Sequence, residues 1–112
     1  MRTFLSPTAA LCLALVASPG AFAQSASAAH GSQQMHHSMM GGMEKMKAMH
    51  STGNTDQDFA TMMRMHHQQA VEMAQVEIQH GKSPELKAMA RKIIKDQQKE
   101  IAQLDQWLAK NK

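Results

Sequence analysis

A five-residue connection, "HGKSP" from His80 to Pro84, constrains this chain more than any other stretch. Gly81 is the residue type expected just past the end of a helix, and Ser83 with Pro84 supplies an N-cap and an N1 proline for the next one. Upstream, Thr55 with Asp58 three residues on is a capping-box pattern. Asp56 and Asp58 also place negative charge where a helix dipole favours it, so the first helix is expected to start near Asp56 and run to His80. Downstream, Leu86, Met89, Ala90, Ile93, Ile94, Gln97, Ile101, Leu104 and Leu108 recur at three-four spacing, with Trp107 at the edge, which predicts a second helix to about Ala109. Each helix should be roughly 37 Å long at 1.5 Å per residue, and so short a connection makes the two antiparallel. The expected fold is all-α, an antiparallel hairpin of two long helices over residues 55–110. A lone hairpin cannot enclose both of its apolar stripes. Pairing with a second copy is therefore expected, a homodimer completing a four-helix bundle, in preference to the N-terminal segment folding across the hairpin.

The beginning of the chain reads as a secretory signal over residues 1–23: Arg2, the apolar run "TAALCLALVA", and a small-x-small cleavage site at Ala21, Phe22 and Ala23. The apolar run is too short to span a bilayer and does not recur, so no stable membrane insertion is expected and the product should be periplasmic or secreted. The one cysteine, Cys12, lies inside this segment, so the exported chain has neither disulfides nor thiolate ligands. Loss of Arg2 with the signal leaves eleven basic against nine acidic residues, and only Phe59 and Trp107 remain as aromatics. That balance speaks against nucleic acid as a partner.

Residues 24–54 are expected to be a flexible Met/His-rich segment. "QSASAAHGSQQ" has no periodicity, and Gly41 with Gly42 interrupts any helix through the second half, although Met43, Met46, Met49 and His50 would suit a short helix near 43–50. Within it "MHHSMMGGMEKMKAMH" carries six methionines, Met35, Met39, Met40, Met43, Met46 and Met49, and three histidines, His36, His37 and His50. A core-building segment would use leucine and isoleucine as well. Thioether and imidazole without thiolate is a donor mix suited to Cu(I), and to Ag(I) by similarity, because soft sulfur selects soft ions. Zinc would call for more histidine, cysteine or carboxylate in a fixed tetrahedral set.

The first long helix carries a second cluster in "TMMRMHHQQAVEMA": Met62, Met63, Met65, His66 and His67. On a helix, Phe59, Met63, His66, Ala70, Met73 and Ala74 fall on one face, with Met62 and His80 on one flank and His67 on the other. Met62 and His66 are one turn apart, as are Met63 and His67, so each pair can bind one ion together. Met73 and Met89, set among alanines, read as core packing. Met65 points away from that stripe. Glu77 and His80 have the Glu-x-x-His spacing of di-iron bundles, with Glu100 on the second helix as the other carboxylate, but one copy of the motif is weak evidence.

These helices resemble the domain of unknown function 305 family over Asp56 to Leu108. The resemblance rests on Phe59, Met62-Met63 and His66-His67-Gln68, then Ala70, Met73-Ala74, Pro84-Glu85-Leu86, Ala90, Ile93-Ile94, Gln97, Glu100-Ile101 and Trp107-Leu108. It implies a ferritin-like helical bundle, and an association with copper or silver binding and tolerance in exported members. Arg64-Met65 stands where an apolar-proline pair is usual, and Leu104 where methionine is common. Many members carry two hairpins where this chain has one, which fits self-association.

The expectation is thus an exported, non-catalytic protein that sequesters or carries Cu(I), and Ag(I) by similarity, in copper homeostasis or tolerance. Its ligands would come from the α-helical and N-terminal clusters together with His80, and a copper-exporting or copper-oxidising protein would be its partner. The alternatives are a metal-free helical stress or chaperone-like protein and a di-iron carboxylate enzyme assembled in a dimer.

Overall fold

The computed structural model describes residues 19–112, which form three helices and no strand: α1 (Pro19–Lys47), α2 (Thr55–His80) and α3 (Pro84–Lys110). Most of the stretch expected to be a secretory signal, residues 1–23, lies outside the described residues. No helix of the described part is long and apolar enough to cross a membrane.

The hairpin of α2 and α3 is as the sequence predicts. Ser83 caps α3, its hydroxyl accepting from the Leu86 N–H at 3.2 Å, with Pro84 in the first turn. Gly81 ends α2, yet its φ of −68° is open to any residue. What requires glycine there is space, because a Cβ would stand 2.1 Å from the Glu77 carboxylate and 2.6 Å from the Glu77 carbonyl oxygen. The start of α2 differs from the expected capping box. Asn54 is the N-cap, accepting from the Gln57 N–H at 3.1 Å. Asp58 instead reaches back to the connection, accepting from the Thr52 hydroxyl at 2.7 Å, the Thr52 N–H at 3.0 Å and the Ser51 hydroxyl at 3.0 Å. Gly53, at φ 81°, makes the turn that allows this, a conformation that costs glycine little.

α1 is the larger difference. Where the sequence suggests a flexible leader and a break at Gly41-Gly42, one helix runs through both and packs antiparallel on α2. The packed residues are Ala28, Gly31, Met35, Ser38, Gly42 and Met46, all at three-four spacing and none fully exposed. Most are small, so the helix axes can approach closely. A Cβ on Gly42 would sit 2.4 Å from the Gln69 side chain, and the Gln69 amide donates to the Met39 carbonyl at 2.8 Å. Packing of this kind holds together a helix whose own propensity is poor. Lys45 and Lys47 in the last turn add a favourable dipole interaction.

α2 is the central helix, touching α1 on one flank and α3 on the other, while α1 and α3 make no packed contact with each other. This moves the core. The buried residues of α2 that face α3 are Ala60, His67, Val71 and Ala74, and Val76 is buried on the α1 side. Phe59 and His66, which share a helix face with Ala70, Met73 and Ala74, are exposed, Phe59 by 61%. The reason is geometric: the neighbours sit on nearly opposite flanks of α2, so neither covers the stripe between them.

Candidate functional site

The three helices form a layer whose two sides differ in chemistry. On one side Met35 of α1, Ala70, Met73 and Ala74 of α2, and Leu86, Met89 and Ile93 of α3 line a groove that is almost wholly apolar. On the other, Gln34, His37 and Ser38 meet Glu72, Gln75 and Gln79, and Lys45 meets Arg64, Met65 and Gln68. Ser38 donates to Glu72 at 3.2 Å on that polar side.

Helical phase assigns the remaining candidates. At 100° per residue Met39, Met43 and Met46 fall within about 80° of Met35, and Met62, Met63 and His66 within about 80° of Met73. Both Met/His clusters therefore contribute to the apolar side. The register fixed by Ser38 with Glu72 and Gly42 with Gln69 also places His66 between Met43 and Met46 along the helix axes, and Met62 level with Met49. Side chains some twenty residues apart in sequence thus border the same stretch of one surface. Met39, Met43 and Met62 remain 38%, 41% and 42% exposed, while Met46 and Met63 are half-buried.

The outer face of α1 holds a separate group. His36 and His37 diverge by 100°, and Met40, four residues from one and three from the other, lies between them. His36, His37 and Met40 line one shallow recess with Ser32 and Gln33. Met65 belongs to the polar side, half-buried beside Lys45. Met49 is half-buried and His50 exposed in the connection after α1.

His67 has a different environment from its neighbour His66. It is buried against α3, its Nε2 2.5 Å from the Glu100 carboxylate, while its Nδ1 has no hydrogen-bond partner. One turn earlier Arg64 donates to Asp105, and that hydrogen bond and charge hold the guanidinium pKa above its ordinary value. The adjacent histidines of the motif therefore face different surroundings, with their ring centroids 6.3 Å apart.

The sequence model of one family, described as a domain of unknown function (DUF305), matches residues 10–109, which takes in all three helices to within a residue of their end. The chain belongs to the DUF305 family. No curated protein matches it. In this DUF305 chain the Phe59, Met62-Met63, His66-His67-Gln68 motif divides by face. Phe59, Met62 and His66 border the open apolar side, His67 joins α3, and Gln68 lies on the polar side.

At the other end of this DUF305 chain, His80 is separated from His66 by about 20 Å of helix. Its neighbour is His30, a residue of the stretch expected to be a flexible leader. The two rings lie edge to face with centroids 5.6 Å apart. The signal that could have found His30 is the small-residue spacing through Ala28, Gly31 and Ser38. Glu100, engaged with His67, stands correspondingly far from Glu77 and His80, and the described residues hold no cluster of three or more His, Cys, Asp or Glu fit for a metal. Among the described residues of one chain the carboxylate cage of a di-iron site is not assembled.

Proposed function

We propose that this protein binds Cu(I), and Ag(I) by the same chemistry, through methionine thioethers and histidine imidazoles. In this reading it is an exported protein that sequesters or carries the ion in copper homeostasis or tolerance. The observation that carries the reading is the exposure of Met39, Met40, Met43 and Met62, each 38–43% open to solvent. Methionine that merely fills a core would be covered, and an exposed helix face has no packing reason to concentrate thioethers. With His66, and with His36 and His37 about Met40, these side chains offer mixed sulfur and nitrogen donors without thiolate, a set that suits soft monovalent ions. The resemblance to copper- and silver-associated family members points the same way. Several shallow sites are the expected form, with the ion passed to a copper-exporting or copper-oxidising partner.

The apolar groove at the turn end is assigned to a second copy of the chain. Leu86 and Met89 are about half exposed there, and a copy related by twofold symmetry would cover them while completing a four-helix arrangement of α2 and α3. The same groove favours a second reading, a metal-free interaction protein that shelters apolar client segments.

Native mass spectrometry with Cu(I), Ag(I) and Zn(II) tests the proposal. The expected result is uptake of Cu(I) and Ag(I) in preference to Zn(II), with stoichiometry falling when Met39, Met40, Met43 and Met62 are changed to leucine. Uptake indifferent to those changes, or none, would sink it. Client protection unaffected by chelators would instead support the metal-free reading.

A further inference from the structure

Near the end of α2, α1 lies so close that a Cβ on Gly31 would stand 2.3 Å from His80 Cβ. That approach sets His30 and His80 beside each other, with centroids 5.6 Å apart and ring planes at 75°. Ser27, one turn before His30, places its Oγ 3.2 Å from His80 Nδ1. We propose that His30 and His80 form a bis-imidazole site for a borderline divalent ion, Cu(II) in first place and Zn(II) in second, separate from the thioether surface.

The spacing fits. A metal–nitrogen bond of about 2.0–2.1 Å puts an ion roughly 3.1 Å from the ring centroid, and two such rings 5.6 Å apart subtend about 125° at the ion, between tetrahedral and linear. The partner on His80 also fits. With Nδ1–H donating to the Ser27 hydroxyl, Nε2 keeps its lone pair, and this is how a second hydrogen bond fixes the tautomer of a ligating histidine. His30 is exposed, so coordination positions left over by the protein are open to water.

The choice of ion rests on the donors. Two imidazoles favour borderline divalent ions, among which the general affinity order puts copper above zinc. Glu77 and Lys82 line the adjoining recess with opposite charges, so their fields offset, and against the single thioether of Met35 in that recess the two imidazoles decide the selectivity. Glu77 does not complete a three-ligand set with the two rings. About 20 Å of α2 separates this end from His66, so Cu(II) here and Cu(I) at the thioethers are independent events.

The test is electron paramagnetic resonance of the protein with substoichiometric Cu(II), in a background carrying H36A, H37A, H50A and H66A to remove the exposed competing imidazoles. The expected result is one bound Cu(II) with hyperfine structure from two imidazole nitrogens. H30A should weaken binding about 100-fold or more, since one of two linked donors is gone. S27A should weaken it about 10-fold, the lower range for loss of an orienting partner. His30 is exposed, so H30A keeps its helical circular dichroism and is the deciding variant, whereas H80A also alters the α1–α2 packing. Cu(II) affinity unchanged by H30A, a single-nitrogen spectrum, or no binding would overturn the proposal, leaving the two rings as a packing contact. Ag(I) uptake measured on the unaltered chain and on H30A alone, with His36, His37 and His66 in place, separates this site from the thioether reading: it should be unchanged by H30A, and its absence from the unaltered chain would count against that reading alone.

Discussion

His67 and Glu100 join α2 to α3 through a contact of 2.5 Å between the imidazole Nε2 and the carboxylate, with the histidine buried and the glutamate half exposed. Little else polar ties the middle of this interface, because Arg64 and Asp105 lie nearer the surface. Glu100→Ala leaves a buried ring nitrogen unsatisfied beside an Nδ1 that already lacks a partner. The expected loss is about 1–3 kcal/mol of stability. Thermal unfolding followed by circular dichroism measures it, and Ag(I) uptake should not change. A variant as stable as the parent would mean that the contact contributes nothing net.

Asp58 ties the connection before α2 to its first turn, and its pKa is held below the ordinary 3.8, first by the Thr52 hydroxyl, then by the Thr52 N–H and the Ser51 hydroxyl. A depressed carboxylate pKa favours the charged form in the folded state. The resulting stabilisation is fully present above pH 3.8 and is lost as the pH falls through the lower folded value. Asp58→Asn should therefore lower the melting temperature at pH 7, and the gap between variant and parent should close in strong acid. A gap that persists unchanged below about pH 2, beneath the usual carboxylate range, would place the effect elsewhere.

Gly41 and Gly42 separate two effects that act on α1. A Cβ at Gly41 meets nothing within 4 Å, so Gly41→Ala brings only the helix-propensity gain of about 0.5–1 kcal/mol. At Gly42 the same Cβ would displace the Gln69 amide, which donates to the Met39 carbonyl. Losing that hydrogen bond costs about 0.5–1.5 kcal/mol and offsets the gain. Gly41→Ala should thus raise helicity and melting temperature more than Gly42→Ala does. Equal gains would mean that α1 does not rest on Gln69.

The hairpin was legible because its signals are local: Ser83 and Pro84 start α3 and Gly81 stops α2 whatever the tertiary context. α1 was not, because what makes it a helix is nonlocal. Gly42 reads, with Gly41, as an interruption along the chain and Gly31 falls in a stretch without periodicity; both become assets only when Gln69 and His80 lie across from them. The same applies to the candidate site. Composition singles out the candidate donors from Met35 to His67, but whether His66 and His67 face the same surroundings depends on where α3 sits, and α3 takes His67 to Glu100. For His30 the small-residue spacing through Ala28, Gly31 and Ser38 hints at a packed helix, but nothing local names its partner His80, fifty residues away.

Met46 and Met62 border the apolar side about one turn apart along the helix axes, whereas Met40 lies on the outer face of α1 with His36 and His37. If Ag(I) is held between α1 and α2, Met46→Leu and Met62→Leu should be non-additive in a double-mutant cycle on Ag(I) affinity, while Met40→Leu and Met62→Leu should add. Swaps of this kind conserve volume and usually cost less than about 1.5 kcal/mol, so the fold survives to be measured. Additivity in both pairs would place the ions on separate helices.

Leu86 and Met89 test self-association. They border a groove with Ala70, Met73 and Ile93 that no part of the described chain covers, and solvent contact with so apolar a lining is unfavourable. A charge at either position would have to be desolvated in a dimer, and twofold symmetry places it in the interface twice. In the monomer the same side chain simply extends into water. Leu86→Glu with Met89→Lys is therefore expected to convert a dimer to a folded monomer in light scattering, with helicity retained, whereas Phe59→Ser at the opposite end should leave the dimer intact. If the parent is monomeric at tens of micromolar, or Phe59→Ser alone dissociates it, the second copy does not sit on the turn-end groove.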